Sequence, residues 1–264
     1  MNHVNNTKNR RRILISNDDG IHAKGLKVLE AAASSLGEIF VVAPDREQSA
    51  TSHSLTLRHP LRPMRLDERR WQIDGTPTDC VMIACASLLG ARPDFVLSGV
   101  NHGPNMGEDV LYSGTVAAAM EGLVLGIPSI AVSFAGSVMQ EDALLEAQTE
   151  TLSKLLAHLM SLPSFPSDSL LNVNLPGVRA ENIKGVKLTR LGRRVFTESV
   201  THMKDPWGRD IVWLGGGAVN WSGAEDSDFR AVADGYISVT PLHFDLTHRD
   251  ALATAEEWWR NPSN

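Results

Sequence analysis

Two adjacent aspartates, Asp18 and Asp19, follow a short apolar run near the start of the chain. The run, residues 13–15, is rich in β-branched side chains, which predicts a buried strand that ends just before the pair. Neighbouring carboxylates repel each other, and the repulsion raises a pKa unless a cation lies between them. The pair is therefore interpreted as the start of a metal site, although an Asp-Asp-Gly sequence taken alone is commonly a solvated turn.

Two later loops carry further oxygen-bearing side chains. The polar loop after residues 39–43 contains Ser49, and the loop after residues 95–97 contains Asn101 and Asn105. In an open α/β sheet, ligands bind outside the carboxyl ends of the strands, so these loops are expected to meet the aspartate pair. Carboxylate, hydroxyl and amide oxygens suit a hard cation, which favours Mg²⁺ or Mn²⁺ over Zn²⁺ or Cu²⁺.

The sequence Ser113-Gly114-Thr115 opens a stretch of small residues that is predicted to be helical. Backbone N–H groups, hydroxyls and the helix dipole at such a start favour an anion, although many starts of this kind only cap a helix. A cation beside an anion pocket is the arrangement used in phosphoryl transfer. The metal polarises the phosphoryl oxygen, activates a water and neutralises charge in the transition state.

A sheet must hold these loops in place. Apolar residues at helical spacing between positions 25 and 36 separate the first two predicted strands. This order predicts parallel strands joined by a right-handed crossover. The predicted fold is therefore α/β, with a mainly parallel sheet, helices on both faces and a C-terminal extension that contains β-strands and helix.

The chain divides into three predicted regions. Residues 1–11 are expected to form a disordered basic tail, and residues 12–189 the main α/β domain. Residues 190–264 contain short segments predicted to be strands, which are separated by glycines and include tryptophans. This last region is expected to be an extension for oligomerisation, with a strand at residues 236–240 that packs back on the core.

Local signals add detail within the core. Weak alternation of apolar and polar side chains over residues 55–73 predicts short antiparallel strands beside the main sheet. A Thr-Pro start at Thr76 predicts a helix that ends at Gly90. Apolar spacing over residues 144–162 predicts one long helix.

Composition excludes several classes of protein. The net charge of −6 over 264 residues argues against a partner that is a nucleic acid polymer, because such binding neutralises phosphates with basic side chains. A small anionic substrate stays compatible with this charge, since a bound cation can reverse the local sign. No apolar run approaches the roughly 18 residues of a membrane span, and the polar, basic start does not resemble a secretory signal. The protein is therefore expected to be cytoplasmic, without a membrane partner.

The cysteines and histidines of the sequence do not indicate a different kind of catalytic site. Cys80 and Cys85 have no metal or redox spacing and are interpreted as small core residues. His22, His53 and His102 lie in the same loops as the oxygen-bearing residues, where each could orient a ligand, act as an acid or be solvated. Glycine-rich dinucleotide fingerprints, phosphate-binding P-loops and the Gly-x-Ser-x-Gly elbow are all missing from the sequence.

Taken together, these residues resemble the SurE family, stationary-phase survival proteins with nucleotidase activity. The resemblance spans about residues 12–242 in chain order. It is carried by Ile13-Leu14-Ile15-Ser16-Asn17-Asp18-Asp19-Gly20, Val42-Ala43-Pro44, Gln48-Ser49-Ala50, Gly75-Thr76-Pro77-Thr78-Asp79-Cys80, residues 98–107, residues 112–122 and residues 231–242.

The resemblance implies a metal-dependent phosphomonoesterase that acts on nucleoside 5′- and 3′-monophosphates and, in some members, on polyphosphate. It also implies that residues 12–189 form a Rossmann-like catalytic domain and that the C-terminal extension is exchanged between the subunits of a homodimer or homotetramer. One divalent cation per subunit, Mg²⁺ or Mn²⁺, is expected. The implied metal ligands are Asp18, Asp19, Ser49 and Asn101. The implied phosphate-binding residues are Asn105, Ser113, Gly114 and Thr115.

The sequence-level hypothesis is a nucleotidase in which a metal-activated water attacks phosphorus and one of Asp18 and Asp19 acts as the general base. Two alternatives stay open. One is a non-catalytic module that binds nucleotide or metal and works through its oligomeric extension. The other is a dehydrogenase on the same type of sheet, which would bind NAD.

Overall fold

The computed structural model describes residues 10–136, 141–196, 200–214 and 219–260. Most of the predicted N-terminal tail and the glycine run 215–217 lie outside the described residues. The strands are β1 (Arg12–Ser16), β2 (Glu38–Pro44), β3 (Pro63–Asp67), β4 (Arg70–Ile73), β5 (Phe95–His102), β6 (Ser129–Ala135), β7 (Leu170–Pro176), β8 (Val186–Leu188), β9 (Arg193–Phe196), β10 (Val200–Lys204), β11 (Asp210–Leu214), β12 (Val219–Ser222) and β13 (Ile237–Leu242). The helices are α1 (Lys24–Ala33), α2 (Pro77–Ile83), α3 (Gly114–Val124), α4 (Glu141–Ala147), α5 (Thr149–Met160), α6 (Asp228–Ala233) and α7 (Arg249–Arg260).

Nine of the described strands form one sheet in the order β3-β4-β2-β1-β5-β6-β7-β13-β8. β1 pairs in parallel with both β2 and β5, and the parallel pairing continues through β6 to β7. The chain moves from β1 to β2 on one side and later from β5 to β7 on the other. The strand order therefore reverses between β1 and β5, and ligands bind at such a switch point. The predicted α/β fold with a mainly parallel sheet is confirmed.

Burial on both faces of the sheet explains why residues 13–15, the centre of β1, are all apolar. Ile13 and Ile15 belong to the core cluster that α1 and α5 cover, whereas Leu14 belongs to the cluster on the opposite face, with α2. All three side chains are fully buried. Successive residues of a strand point to opposite faces, so a strand covered on both sides favours apolar residues at consecutive positions.

Two local predictions have different outcomes. The helix start at Thr76 is confirmed, because Thr76 and Asp79 form a reciprocal capping box. The single helix predicted over residues 144–162 is wrong: α4 and α5 are separate helices with Gln148 between them. The Gln148 amide donates hydrogen bonds to Pro176 O (2.9 Å) and Val178 O (2.7 Å). These long-range hydrogen bonds hold Gln148 at the end of β7. The spacing of apolar residues does not reveal such bonds, so it predicted an unbroken helix.

The short strands predicted between residues 55 and 73 are present as the antiparallel pair β3 and β4 at the edge of the main sheet. In the C-terminal part, β13 pairs antiparallel with β7 and parallel with β8. β9 and β12 form one two-stranded sheet, and β10 and β11 form another. The division of the chain at residue 189 stays a prediction. Among the described helices, none has the length and apolar character needed to cross a membrane.

Close packing of α3 against the sheet generates a test. A Cβ atom added at Gly122 would lie 2.3 Å from Ser129 Oγ and 2.8 Å from Val96 Cγ2. Gly122→Ala is expected to lower the free energy of unfolding by about 1–3 kcal/mol, because the added methyl group overpacks this contact. Urea denaturation measures the change.

The matched control is Val124→Ala on the same helix, since Val124 is 53% exposed. This substitution is expected to change stability by less than about 0.5 kcal/mol. In an unconstrained helix, glycine to alanine is stabilising. A more stable Gly122→Ala variant would therefore contradict the close packing described here.

Candidate active site

Asp18 lies at the switch point, directly against the start of α3. The residue is 3% exposed, and its Oδ1 accepts a hydrogen bond from Thr115 Oγ1. A Cβ atom at Gly114 would lie 2.7 Å from Asp18 Cβ, so only glycine allows the helix to approach this closely. Ser113 caps the helix, because its Oγ accepts a hydrogen bond from Val116 N at 3.0 Å. The loop after β1 and the helix start after β5 thus form one packed unit.

The end of β5 brings an amide oxygen to the same place. Asn101 Oδ1 lies 3.3 Å from Thr115 Oγ1, the hydroxyl that also contacts Asp18. Asn101 Nδ2 donates to Gly103 O at 2.9 Å, which orients the amide with its oxygen toward Thr115. Asp19 is close by, since its Oδ2 accepts a long hydrogen bond of 3.4 Å from His102 N. Asp18 and Asn101 therefore meet at Thr115, and the Asp19 carboxylate contacts the backbone of the residue that follows Asn101.

Ser49 approaches from the loop after β2. Gln48 N donates to Asp18 O at 2.7 Å, which fastens this loop to the aspartate pair. The Ser49 side chain is exposed, and its Oγ donates to Glu47 Oε1 at 2.8 Å. Ser49, Asp18 and Asn101 line the same cavity, so Ser49 faces two of the other predicted ligands across a space open to solvent.

The far end of the Ser49 loop is held on α3. Ala50 and Ser52 both have a φ of 56°, a left-handed conformation that non-glycine residues adopt only when the surroundings enforce it. Ser52 Oγ donates to Leu111 O at 2.7 Å. His53 Nε2 lies 2.8 Å from Glu121 Oε2 of the buried face of α3. His53 thus anchors the loop, whereas His102 lines the cavity.

Asn105 is held by a polar network inside the sheet. Its backbone N–H donates to Asn174 Oδ1 at 2.9 Å, and its Nδ2 donates to Ser133 Oγ at 2.8 Å. Its carbonyl accepts from the side-chain amides of Asn172 (2.9 Å) and Asn174 (3.0 Å). Sequence reasoning did not single out these three supporting residues. The available signal was the polar alternation Asn-Val-Asn within a strand that is otherwise apolar.

A cavity of about 390 Å³ opens where these groups meet. Five of the eight predicted site residues line it, and Gly114 and Thr115 lie behind this lining in contact with Asp18. The eighth, Asp19, is not part of the lining, and its carboxylate contacts the backbone of His102, which is. Sequence reasoning missed the contributions of Asp109, Tyr112 and Arg194. The full lining is Asp18, Ser49, Ala50, Asn101, His102, Pro104, Asn105, Asp109, Tyr112, Ser113 and Arg194.

The donor set fits a hard divalent cation. Burial raises the pKa of Asp18 above its ordinary value. Burial and then the neighbouring charge of Asp18 raise the pKa of Asp19 to about 6. A cation between the two carboxylates would relieve both effects. Within the described part of the chain, no three His, Cys, Asp or Glu side chains form a metal-binding group. A cation here would therefore take neutral oxygens from Ser49 and Asn101 beside the carboxylates, as Mg²⁺ and Mn²⁺ readily do.

Comparison with known proteins places this geometry in a family. The profile of the family described as "Survival protein SurE" matches residues 13–198. This chain belongs to the SurE family. The matched SurE segment includes all eight predicted site residues and extends through β9 into the C-terminal region.

Individual SurE proteins cover nearly the whole chain. A protein named 5′-nucleotidase SurE from Gemmatimonas aurantiaca is 75% identical over 251 residues, which are 95% of this chain and all of that protein. A protein of the same name from Geotalea uraniireducens is 46% identical, covering 94% of this chain and 98% of its own length. The crystal structure of the SurE protein from Aquifex aeolicus superimposes with a TM-score of 0.80 at 41% identity, covering 92% of this chain and 97% of that one. The resemblance inferred from the motifs is confirmed.

The charge balance at the aspartate pair yields a stability prediction. The pKa of Asp19 rises from its ordinary value of 3.8 to about 6 in the folded protein, so ionisation of this carboxyl opposes folding. Asp19→Asn is expected to raise the free energy of unfolding of the metal-free protein by about 1 kcal/mol at about pH 8. The gain should shrink as the pH falls from about 6 and vanish below about pH 4, where both forms are neutral.

Chemical denaturation in the presence of a chelator, repeated across this pH range, measures the difference. The control is the same pair of proteins with saturating Mn²⁺, which should stabilise the wild type more than the variant because only the wild type keeps both carboxylates. A metal-free variant that is less stable than the wild type at about pH 8 would contradict the predicted cost of ionising Asp19, which comes from burial and then from the charge of Asp18.

Proposed function

We propose that this protein hydrolyses nucleoside 5′-monophosphates to nucleoside and phosphate, with one Mg²⁺ or Mn²⁺ per subunit. The observation that carries the proposal is the contact of Asp18 with Thr115, which joins a carboxylate pair to the start of α3 at the switch point of the sheet. The 5′-nucleotidase name of the 75% identical relative supports the same activity.

The proposed roles divide the site into two halves. The cation is held by Asp18, Asp19, Ser49 and Asn101. The phosphate is held by Asn105, Ser113, Gly114 and Thr115. Nucleoside 3′-monophosphates and polyphosphate belong to the proposed substrate range. A cytoplasmic homodimer or homotetramer, in which residues 190–264 join the subunits, is the proposed form of the enzyme.

The chain's own groups suit an attack by water on phosphorus. The cation, when bound, supplies an activated water and neutralises charge on the phosphoryl oxygens. The N–H groups at the start of α3 point along the helix axis toward the anion, and the dipole of this three-turn helix adds to their effect. A serine hydroxyl both accepts and donates, so Ser113 can cap the helix and still donate to a phosphate oxygen.

The two aspartates differ in their surroundings, and this difference suggests which one is the general base. Asp18 Oδ1 is engaged by Thr115, and Asp18 is almost completely buried. Asp19 has more exposed surface and a longer contact, the 3.4 Å hydrogen bond from His102 N. Asp19 is therefore better placed to accept the proton of the attacking water, while Asp18 orients the start of α3.

Phosphate release from 5′-AMP tests the proposal, with Mg²⁺ or Mn²⁺ and with or without a chelator. Activity is expected with either cation and should be lost on chelation. Asp19→Asn is expected to reduce turnover by about 100-fold or more, because the base and a metal ligand are both removed. No phosphate release with any divalent cation would refute the enzyme and favour a non-catalytic binding module, and tight NAD binding would favour a dehydrogenase.

The matched control for this substitution is Asp94→Asn. Asp94 Oδ2 accepts a hydrogen bond of 2.7 Å from Arg12 N at the amino end of the sheet, opposite the cavity. Its conversion to asparagine makes the same chemical change away from the site, so turnover should stay within about twofold of the wild type.

A further inference from the structure

The candidate active site contains a cationic side chain from the C-terminal region. Arg194, on β9, lines the same cavity as Asp18, Asn105 and Ser113. Among the described residues that line this cavity, it is the one lysine or arginine. Its side chain is 29% exposed, so the guanidinium is partly withdrawn from solvent while it still faces the cavity.

The position of Arg194 is set by acidic groups of the turn that follows Asn105. The Arg194 guanidinium donates through Nη1 to Asp109 Oδ1 at 2.5 Å. The Arg194 backbone N–H donates to Glu108 Oε2 at 2.6 Å. Both acids belong to the short helical turn Gly107–Leu111, which also leads to the cap of α3. The arginine is therefore held by the element that connects two of the proposed phosphate-binding segments.

A buried carboxylate ties β9 to the same turn. Asp228 Oδ1 accepts from Gly192 N, two residues before Arg194, and Asp228 Oδ2 accepts from Gly107 N, each at 2.9 Å. Asp228 is completely buried, so these bonds are shielded from water. The entry to β9 and the turn below the cavity are thus fixed to each other by one side chain.

The negative charge of the site favours a cationic side chain such as Arg194 beside a bound metal. Asp18, Asp19 and Asp109 lie in or beside the cavity, and a phosphate monoester adds a dianion to them. A divalent cation at the aspartate pair would neutralise only part of this charge. Arginine presents a planar fork of N–H donors that matches two phosphate oxygens, and Asp109 orients this fork from one side.

We propose that Arg194 binds the phosphate group of the substrate and is a further substrate-binding residue of this site. The inference rests on the proposed function for the identity of the substrate, but it predicts phosphate binding whether or not turnover occurs. It also makes the C-terminal region part of the active site, because β9 supplies the arginine. The alternative is a purely structural role, in which Arg194 braces the turn Gly107–Leu111 through Asp109 and does not contact phosphate.

Equilibrium binding of inorganic phosphate to the Mn²⁺-loaded protein tests the proposal by calorimetry. Arg194→Gln is expected to weaken phosphate binding by roughly 10- to 100-fold, because a charge-assisted contact is lost. Arg194→Lys should recover part of the loss, since a point charge replaces the fork. Binding of Mn²⁺ in the absence of phosphate should stay unchanged in both variants.

Two further variants separate substrate binding from bracing. Arg193→Gln alters the adjacent, exposed arginine on the same strand, and phosphate binding should stay within twofold of the wild type. Asp109→Asn removes one negative charge from the cavity, while the amide oxygen of asparagine can still accept from Arg194 Nη1 and orient the guanidinium. If Arg194 contacts phosphate, this variant should bind phosphate as tightly as the wild type or more tightly. If Arg194 only braces the turn, it should weaken binding as Arg194→Gln does.

Steady-state hydrolysis of 5′-AMP distinguishes the possible failures. With an active wild type, Arg194→Gln should raise KM by roughly 10-fold or more. Unchanged phosphate binding in Arg194→Gln, or equal weakening in Asp109→Asn, would overturn this inference and leave the proposed function intact. An inactive wild type whose phosphate binding still depends on Arg194 would overturn the proposed function and support the inference. A wild type that binds no phosphate would overturn the inference.

Discussion

The contact between Asp18 and the start of α3 is the constraint on which the site depends. Thr115 donates a hydrogen bond to the Asp18 carboxylate, and Gly114 leaves the space that the carboxylate occupies. A side chain at position 114 would push the helix away from β1 and separate the aspartate pair from the phosphate-binding end of α3. One buried hydrogen bond and one missing methyl group thus join the two halves of the proposed chemistry.

This contact places the Asp18 carboxylate in the protein interior, where burial makes its ionised form unfavourable. Burial raises the pKa of Asp18, and the hydrogen bond from Thr115 opposes that effect only in part. The surrounding core supplies the compensating stability, since Ile13, Leu14 and Ile15 are completely buried on the strand that leads to it. Functional sites commonly carry such unfavourable groups, because a poorly satisfied carboxylate pair is ready to bind a cation.

The site extends beyond the parallel core. Asp228 connects Gly107 to Gly192, and Arg194 reaches the cavity from the strand that follows. β13 also pairs with β7, whose Asn172 and Asn174 hold the backbone of Asn105. The C-terminal region therefore supports the proposed phosphate-binding segment from two directions, in addition to the oligomerisation role proposed for it.

Many features of the fold and of the candidate site could be predicted from the sequence alone. The apolar runs predicted the core strands, the Thr76 start predicted its capping box, and the order of motifs indicated the family, because each depends on residues that are close together in the chain. The roles of Asp18, Asp19, Ser49 and Asn101 stay predictions, yet their spacing was sufficient to name them. The break at Gln148, the network around Asn105 and the placement of Arg194 were decided only by the tertiary structure. Each depends on hydrogen bonds between residues at least 28 positions apart, such as Gln148 with Pro176. The spacing of apolar residues within one segment does not indicate which distant residues will form hydrogen bonds with it.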